Sequence, residues 1–136
     1  MKNLSVGLKG EQKEIVSESL TAKHLGSGNV KVYATPMMIS LMERTSRLSV
    51  KPFLDENEET VGTVVNVRHL ASAPIGAEVT CRSVLEKIEG RRLTFRVEVR
   101  EGEKVIGEGG HERFVIDIAR FAAKNEAAGS GKENKK

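Results

Sequence analysis

The chain has 136 residues, of which 38% are apolar, 4% aromatic with no Trp, and 30% charged. That length suits one domain able to bury roughly 68% of its unfolded surface, and the interspersed charges argue against a disordered or membrane-embedded chain. The formal net charge is +3, but residues 124–136 hold four Lys and two Glu, so the body is almost neutral and lacks the clustered basic face that a nucleic-acid partner needs.

With so few aromatics the core must be built from Val, Ile, Leu, Met and Ala. Cys81 is the only cysteine, which rules out an intrachain disulfide and points to a reducing compartment. Met1-Lys2-Asn3 leads into mixed polar residues with no apolar signal core. No stretch approaches the ~18 apolar residues of a transmembrane helix. The expectation is a soluble cytoplasmic protein with no nucleic-acid or membrane partner.

The first predicted element is a weak edge strand over residues 14–20. A loop over residues 24–29 follows, punctuated by Gly26-Ser27-Gly28. Thr35-Pro36 then opens a clear helix, because Thr is a favoured N-cap and Pro suits the first helical position. Met38, Leu41, Met42 and Leu48 recur at helical spacing with Thr45 on the same face, and Pro52 marks the end. After an acidic loop over residues 55–59 the period changes to two. Strands are predicted over residues 61–71, 78–88, 91–100 and 105–118, separated by Ala73-Pro74-Ile75-Gly76, Glu89-Gly90 and Glu101-Gly102-Glu103. The third of these alternates cleanly, with Leu93, Phe95, Val97 and Val99 on one face. The fourth contains Gly107, Gly109 and Gly110, which suggests a bulge or the close approach of another backbone or a ligand. A short helix over residues 119–124 ends a single domain of residues 1–124. The small, polar remainder, residues 125–136, is expected to be a disordered tail.

Consecutive strands joined by tight turns predict an antiparallel meander. One long apolar helix must then be covered by that sheet, which is an α+β layer structure with a curved sheet wrapped around a single central helix. Its long edge strands favour pairing with a second copy.

No P-loop, GxGxxG, HExxH or GxSxG motif is present, and one Cys with three scattered His does not make a zinc site, so no metal is expected. Three polar residues stand out. Thr35 reads as a helix cap, but a hydroxyl at a helix N-terminus also lies beside free N–H groups suited to an oxyanion. Glu43 reads as part of a solvated helix face beside Arg44 and Arg47, or as a carboxylate at the helix–sheet or subunit boundary. His69 reads as a strand histidine, or as a general base with an unperturbed pKa near ~6.5. His24 reads as a loop histidine. His111-Glu112-Arg113 reads as a surface or interface network, with Arg113 alternatively a cleft cation for a substrate carboxylate or phosphate.

Taken together, Ala34-Thr35, Leu41-Met42-Glu43, Gly62-Thr63, Val67-Arg68-His69, Ala71, Pro74, Gly76, Glu89-Gly90-Arg91-Arg92-Leu93 and Gly110-His111-Glu112-Arg113 resemble the fluoroacetyl-CoA thioesterase-like branch of the hotdog thioesterases. The resemblance covers roughly residues 30–122. It implies a hotdog fold that dimerises edge to edge, as a homodimer or a tetramer of such dimers, and hydrolysis of a short acyl-CoA thioester. By position, Thr35, Glu43 and His69 match the family's catalytic threonine, glutamate and histidine. Gly62 matches a glycine whose backbone lies against the acyl group, and Arg113 matches an arginine of the active-site region. Members selective for the fluorinated acyl group place aromatics over the acyl pocket; residues 26–31 here contain none, and Tyr33 is the one nearby aromatic.

The implied mechanism holds the thioester carbonyl at the helix N-terminus, where backbone N–H groups meet the oxyanion. Thr35 contacts or attacks the carbonyl, and His69, oriented by Glu43, activates Thr35 or a water. Coenzyme A is part of the substrate and no cofactor is needed. Lys87 and Arg91-Arg92 are candidates for its phosphates. Two rival readings remain: another hotdog enzyme such as an acyl-CoA hydratase or dehydratase, and a non-catalytic acyl-CoA binding module.

Overall fold

The computed structural model describes residues 1–133. Strands β1 (Lys9–Ile15), β2 (Glu58–His69), β3 (Glu78–Glu89), β4 (Arg92–Glu101) and β5 (Lys104–Asp117) form one antiparallel sheet, and helices α1 (Ala22–Leu25), α2 (Thr35–Val50) and α3 (Ile118–Glu133) accompany it. Packed against all five strands, α2 is the central helix of a hotdog architecture.

The sequence of α2 explains its place. Met38, Leu41, Met42 and Thr45 sit at helical spacing and are buried; fully burying each large apolar side chain is worth roughly 1.5–3 kcal/mol. Thr45 and Ser46 enter the core because their hydroxyls donate back to the Leu41 and Met42 carbonyls, at 2.7 and 2.9 Å. Facing them are Leu85 of β3, Leu93, Phe95, Val97 and Val99 of β4, and Ile106 of β5. Cys81 is part of this core; burial pushes its thiol up to about 11, which leaves it inert.

The meander holds for β3, β4 and β5 only. The strand order is β1-β3-β4-β5-β2, so β2 pairs with β5 and lies at an edge, with two strands between it and its chain neighbour β3. The connection over residues 70–77 crosses the end of the sheet and is tied down on the way. Leu70 and Ala71 donate to the Ile106 carbonyl, and the Ala73 carbonyl accepts from Tyr33 just before α2. This crossing draws the end of β2 to the start of α2.

Three further elements differ from the sequence reading. The first strand is Lys9–Ile15, earlier than residues 14–20, and Glu18–Leu20 is a 3-10 turn. Its polar alternation gave no apolar signal, while Val16, which did, is a fully buried residue just past the strand. Part of the expected loop is α1, capped by Thr21 and ended by Gly26 at φ 74°. At the other end α3 runs on to Glu133 where the helix was expected to stop at Lys124; the last part of the expected tail, residues 134–136, lies outside the described residues.

Two of the three glycines of β5, Gly107 and Gly109, mark close approaches as expected, while a Cβ on Gly110 would meet only the Phe95 carbonyl at 4.0 Å. A Cβ on Gly107 would strike the Met38 sulfur and the Arg68 carbonyl, 2.8 Å from the latter; one on Gly109 would strike the Asn66 carbonyl and lie 2.6 Å from the Val67 Cα. Gly109 also has φ 156°. Since the obstacle there is backbone, Gly109→Ala is expected to cost about 3 kcal/mol and to lower Tm by roughly 10 °C. A thermal melt with an unchanged midpoint would contradict that account.

Candidate active site

The N-terminus of α2 is not capped by Thr35. The capping position is Ala34, in extended conformation, and Thr35 is the first helical residue. Its hydroxyl is therefore free to turn outward, and Thr35 Oγ1 lies 2.7 Å from His69 Nδ1. The crossing of residues 70–77 is what brings these two side chains together over 34 residues of sequence. They share a shallow cleft of about 320 Å³ lined by Val32, Thr35, His69, Leu70, Ala71 and Ser72.

The half-buried ring of His69 is pushed below its usual pKa of 6.5 by desolvation, with the Ala71 backbone pulling weakly the other way. With its proton on Nε2, the neutral ring presents the Nδ1 lone pair to the Thr35 hydroxyl. Nε2 is buried without a hydrogen-bond partner among the described residues. Tyr33 is itself buried, its hydroxyl donating to Glu14 at 2.5 Å. It packs edge-on against the His69 ring, with centroids 6.5 Å apart.

The helix end offers fewer free donors than its sequence suggested. Pro36 has no N–H, and Met37 and Met38 both donate to the Ala34 carbonyl at 3.0 Å. That leaves the Thr35 N–H as the first-turn donor not turned back onto the helix.

The remaining candidates form a second cluster. Arg113, on the inward face of β5, donates through Nε to Thr60 Oγ1 at 2.8 Å and through Nη2 to the Thr60 carbonyl at 2.9 Å. Its Nη1 lies 3.1 Å from His111 Nε2 and 3.4 Å from Glu43 Oε2. Burial works against the guanidinium charge and Glu43 offsets part of that. Gly62 leaves room for this group: a Cβ there would sit 2.7 Å from Glu43 Oε2 and 3.4 Å from both Arg113 Nη1 and His111 Cε1. Glu43 thus stands at the helix–sheet boundary, not on a face shared only with Arg44 and Arg47; those two pair elsewhere, with Glu14 and Glu59.

Within one chain the two clusters stay apart. Eight helical residues separate Thr35 from Glu43, about 12 Å along the axis, and seven strand residues separate Gly62 from His69, about 23 Å. Glu43 therefore does not orient the His69 of its own chain.

Residues 16–119 match the family model described as fluoroacetyl-CoA-specific thioesterase (FlK). The chain belongs to the fluoroacetyl-CoA-specific thioesterase family. It is 42% identical over 94 residues to the fluoroacetyl-CoA thioesterase of Streptantibioticus cattleyicolor, spanning 69% of this chain and 68% of that one. Among solved structures, the fluoroacetyl-CoA thioesterase FlK superposes with a TM-score of 0.86 at 34% identity, covering 93% of this chain and 98% of that one. A thioesterase-superfamily protein of Thermus thermophilus superposes at 0.91 and 34% identity, covering 98% and 99%. All five candidate residues, Thr35, Glu43, Gly62, His69 and Arg113, fall inside the stretch that matches the family.

The sequence reading gave His111 a surface or interface role and did not single out Thr60. His111 is 1% exposed, not on the surface, and Thr60 holds two of the Arg113 donors. The signal was present: His111, Arg113 and Val115 recur at period two, and Val115 places that face inward. His24 is exposed on α1, and Arg91 is engaged with Glu58 at 3.1 Å.

Proposed function

We propose that the protein hydrolyses short-chain acyl-CoA thioesters to the free acid and coenzyme A, using Thr35 and His69 of one chain with Glu43, Gly62 and Arg113 of a second. The observation that carries this is the 2.7 Å Thr35–His69 contact in a chain of a thioesterase family. His69 Nδ1 takes the proton as oxygen, from Thr35 or from a water that takes the place of the Thr35 hydroxyl at Nδ1, adds to the thioester carbonyl. The Thr35 N–H is the donor nearest the resulting oxyanion. Collapse expels the thiolate of coenzyme A, which recovers the proton from His69; on the Thr35 route a water deprotonated by His69 then cleaves the acyl-threonine ester, releasing the acid and returning the proton to Thr35. The side chains carry every step, and coenzyme A enters as part of the substrate.

A second copy supplies the missing half. β2 is an edge strand, exposed from Gly62 to Asn66, with Val64 and Val65 each more than 40% exposed. Unpaired edges of this kind invite a partner strand. In an antiparallel two-fold pairing centred near Val65 and Asn66, His69 of one chain lies opposite Gly62 of the other. Glu43 and Arg113, packed on Gly62, then face Thr35 and His69 across the seam. Among the described residues no helix is long and apolar enough to cross a membrane, and with an unpaired Cys81 we place the protein in the cytoplasm.

The test is release of free thiol across a panel of short acyl-CoAs. Hydration or dehydration would change the acyl chain without freeing thiol, and a binding module would leave release at the buffer rate; either outcome overturns the reading.

The pH dependence follows from the direction of the His69 shift. Because burial holds its pKa below 6.5, kcat/KM is expected to stay flat from neutral pH to below 6.5 and to fall only in more acid buffer. The lack of any acid limb would exclude His69 as the base, while one centred above 6.5 would mean that the second chain's Glu43 carboxylate outweighs the burial. The fold follows the same sign. His69 and His111 both bind protons more weakly folded than unfolded. The stability of their neutral forms is fully present above pH 6.5 and is lost as pH falls through the folded values.

A further inference from the structure

His111 is buried in the middle of β5, opposite Val65 of β2 in the register and beside the Phe95 ring, at a centroid distance of 6.3 Å. Both of its nitrogens are engaged. Nδ1 lies 2.7 Å from the Val64 carbonyl oxygen, which can only accept, so Nδ1 carries the proton. Nε2 lies 3.1 Å from Arg113 Nη1, which can only donate, so Nε2 carries the lone pair. Two independent neighbours specify one neutral tautomer. A doubly protonated ring would set an N–H against the guanidinium.

The Val64 carbonyl is not an ordinary ladder group. The register of β2 against β5 slips between Gly62 and Val64, leaving Thr63 as the extra residue of a bulge. His111 fastens that bulge from the inside. On its other side it supplies an acceptor to the same Nη1 that faces Glu43. Gly62, immediately before the bulge, packs on all three side chains.

We propose that His111 is a positioning residue: its Nδ1–H ring ties the β2 bulge to Arg113 and so fixes where the Glu43–Arg113 pair stands against Gly62. This rests on the reading that the second cluster is half of the active site. Burial and the neighbouring Arg113 charge both keep the ring neutral, as the arrangement requires.

The test has two arms on the full chain. In the first, ring ¹⁵N NMR of the wild type at pH 7 is expected to show His111 protonated at Nδ1 and bare at Nε2; an Nε2–H tautomer overturns the proposal whether or not the protein hydrolyses thioesters. In the second, His111→Asn and His111→Gln separate the two bonds. Asn offers a donor where Nδ1 stood and nothing to Arg113; Gln offers an acceptor where Nε2 stood. His111→Asn is expected to lower kcat on the order of 10²-fold through misplacement of the pair, with His111→Gln well above it. If the two variants lose kcat equally, in step with their melting temperatures, the role is only structural and the proposal fails. A wild type that releases no thiol would instead refute the proposed hydrolysis, leaving the NMR arm to decide the tautomer and its ties.

Discussion

Replacing His69 by Ala is expected to lower thiol release on the order of 10²–10⁴-fold, the usual contribution of a positioned general base, with the fold intact. The loss follows from the 2.7 Å contact with Thr35. A threonine hydroxyl is a poor nucleophile and a poor proton relay unless a base within hydrogen-bond reach takes its proton. Stability should barely change, because the ring is half-exposed and its Nε2 is already unpartnered; removing it leaves no stranded donor on the protein. If Thr35 and His69 act as a unit, the Thr35→Ala, His69→Ala double variant should be no slower than the worse single one. Steady-state thiol assays of the three variants, each with a thermal melt, check this. A His69→Ala protein with wild-type turnover would remove His69 from the chemistry.

A purified heterodimer of one His69→Ala chain and one Glu43→Ala chain is expected to recover about half the wild-type turnover per dimer, although each parent homodimer is nearly inactive. The symmetry argument is direct. If each site takes His69 from one chain and Glu43 from the other, one of the two sites in the heterodimer collects both mutations and the other collects neither. Two differently tagged chains, co-expressed and purified through both tags, provide the material. A heterodimer as inactive as its parents would mean that each site lies within one chain. The separation of about 12 Å along α2 speaks against that. A Val65→Asp edge variant offers a second check. A carboxylate on the edge strand at the seam opposes edge-to-edge pairing, so this chain is expected to sediment as a monomer and lose turnover, although its Thr35–His69 pair needs no partner.

The sites that sequence reasoning judged well and badly differ in a consistent way. Met38, Leu41, Met42 and Thr45 announce the buried face of α2, and the alternation of Leu93, Phe95, Val97 and Val99 announces β4, because local periodicity is enough when one face is apolar. The strand β1 lies earlier than its sequence suggests because its residues are polar at every position but Gly10 and Ile15, and an edge strand needs no apolar stripe to pair with β3. Thr35 looked like a cap because Thr before Pro usually is one. The helix in fact begins at Thr35, a shift of a single residue that converts a spent hydroxyl into a free one. His111 and Arg113 looked like an outward charge network because polarity was weighed ahead of register with Val115.

What the sequence determined by itself is the inventory: one long apolar helix, strands of period two, glycines where chains must touch, and a threonine, a glutamate, a histidine and an arginine spaced as in a thioesterase family. What only the tertiary structure decided is which of these meet. The crossing over residues 70–77 carries β2 past β3 to the far edge beside β5 and drops His69 onto Thr35. The same placement leaves Glu43 with Arg113 and His111 beside Gly62, well back along the strand from His69. Spacing along a chain sets how far two residues can be apart; strand order sets whether they touch, and that order is a global property of packing.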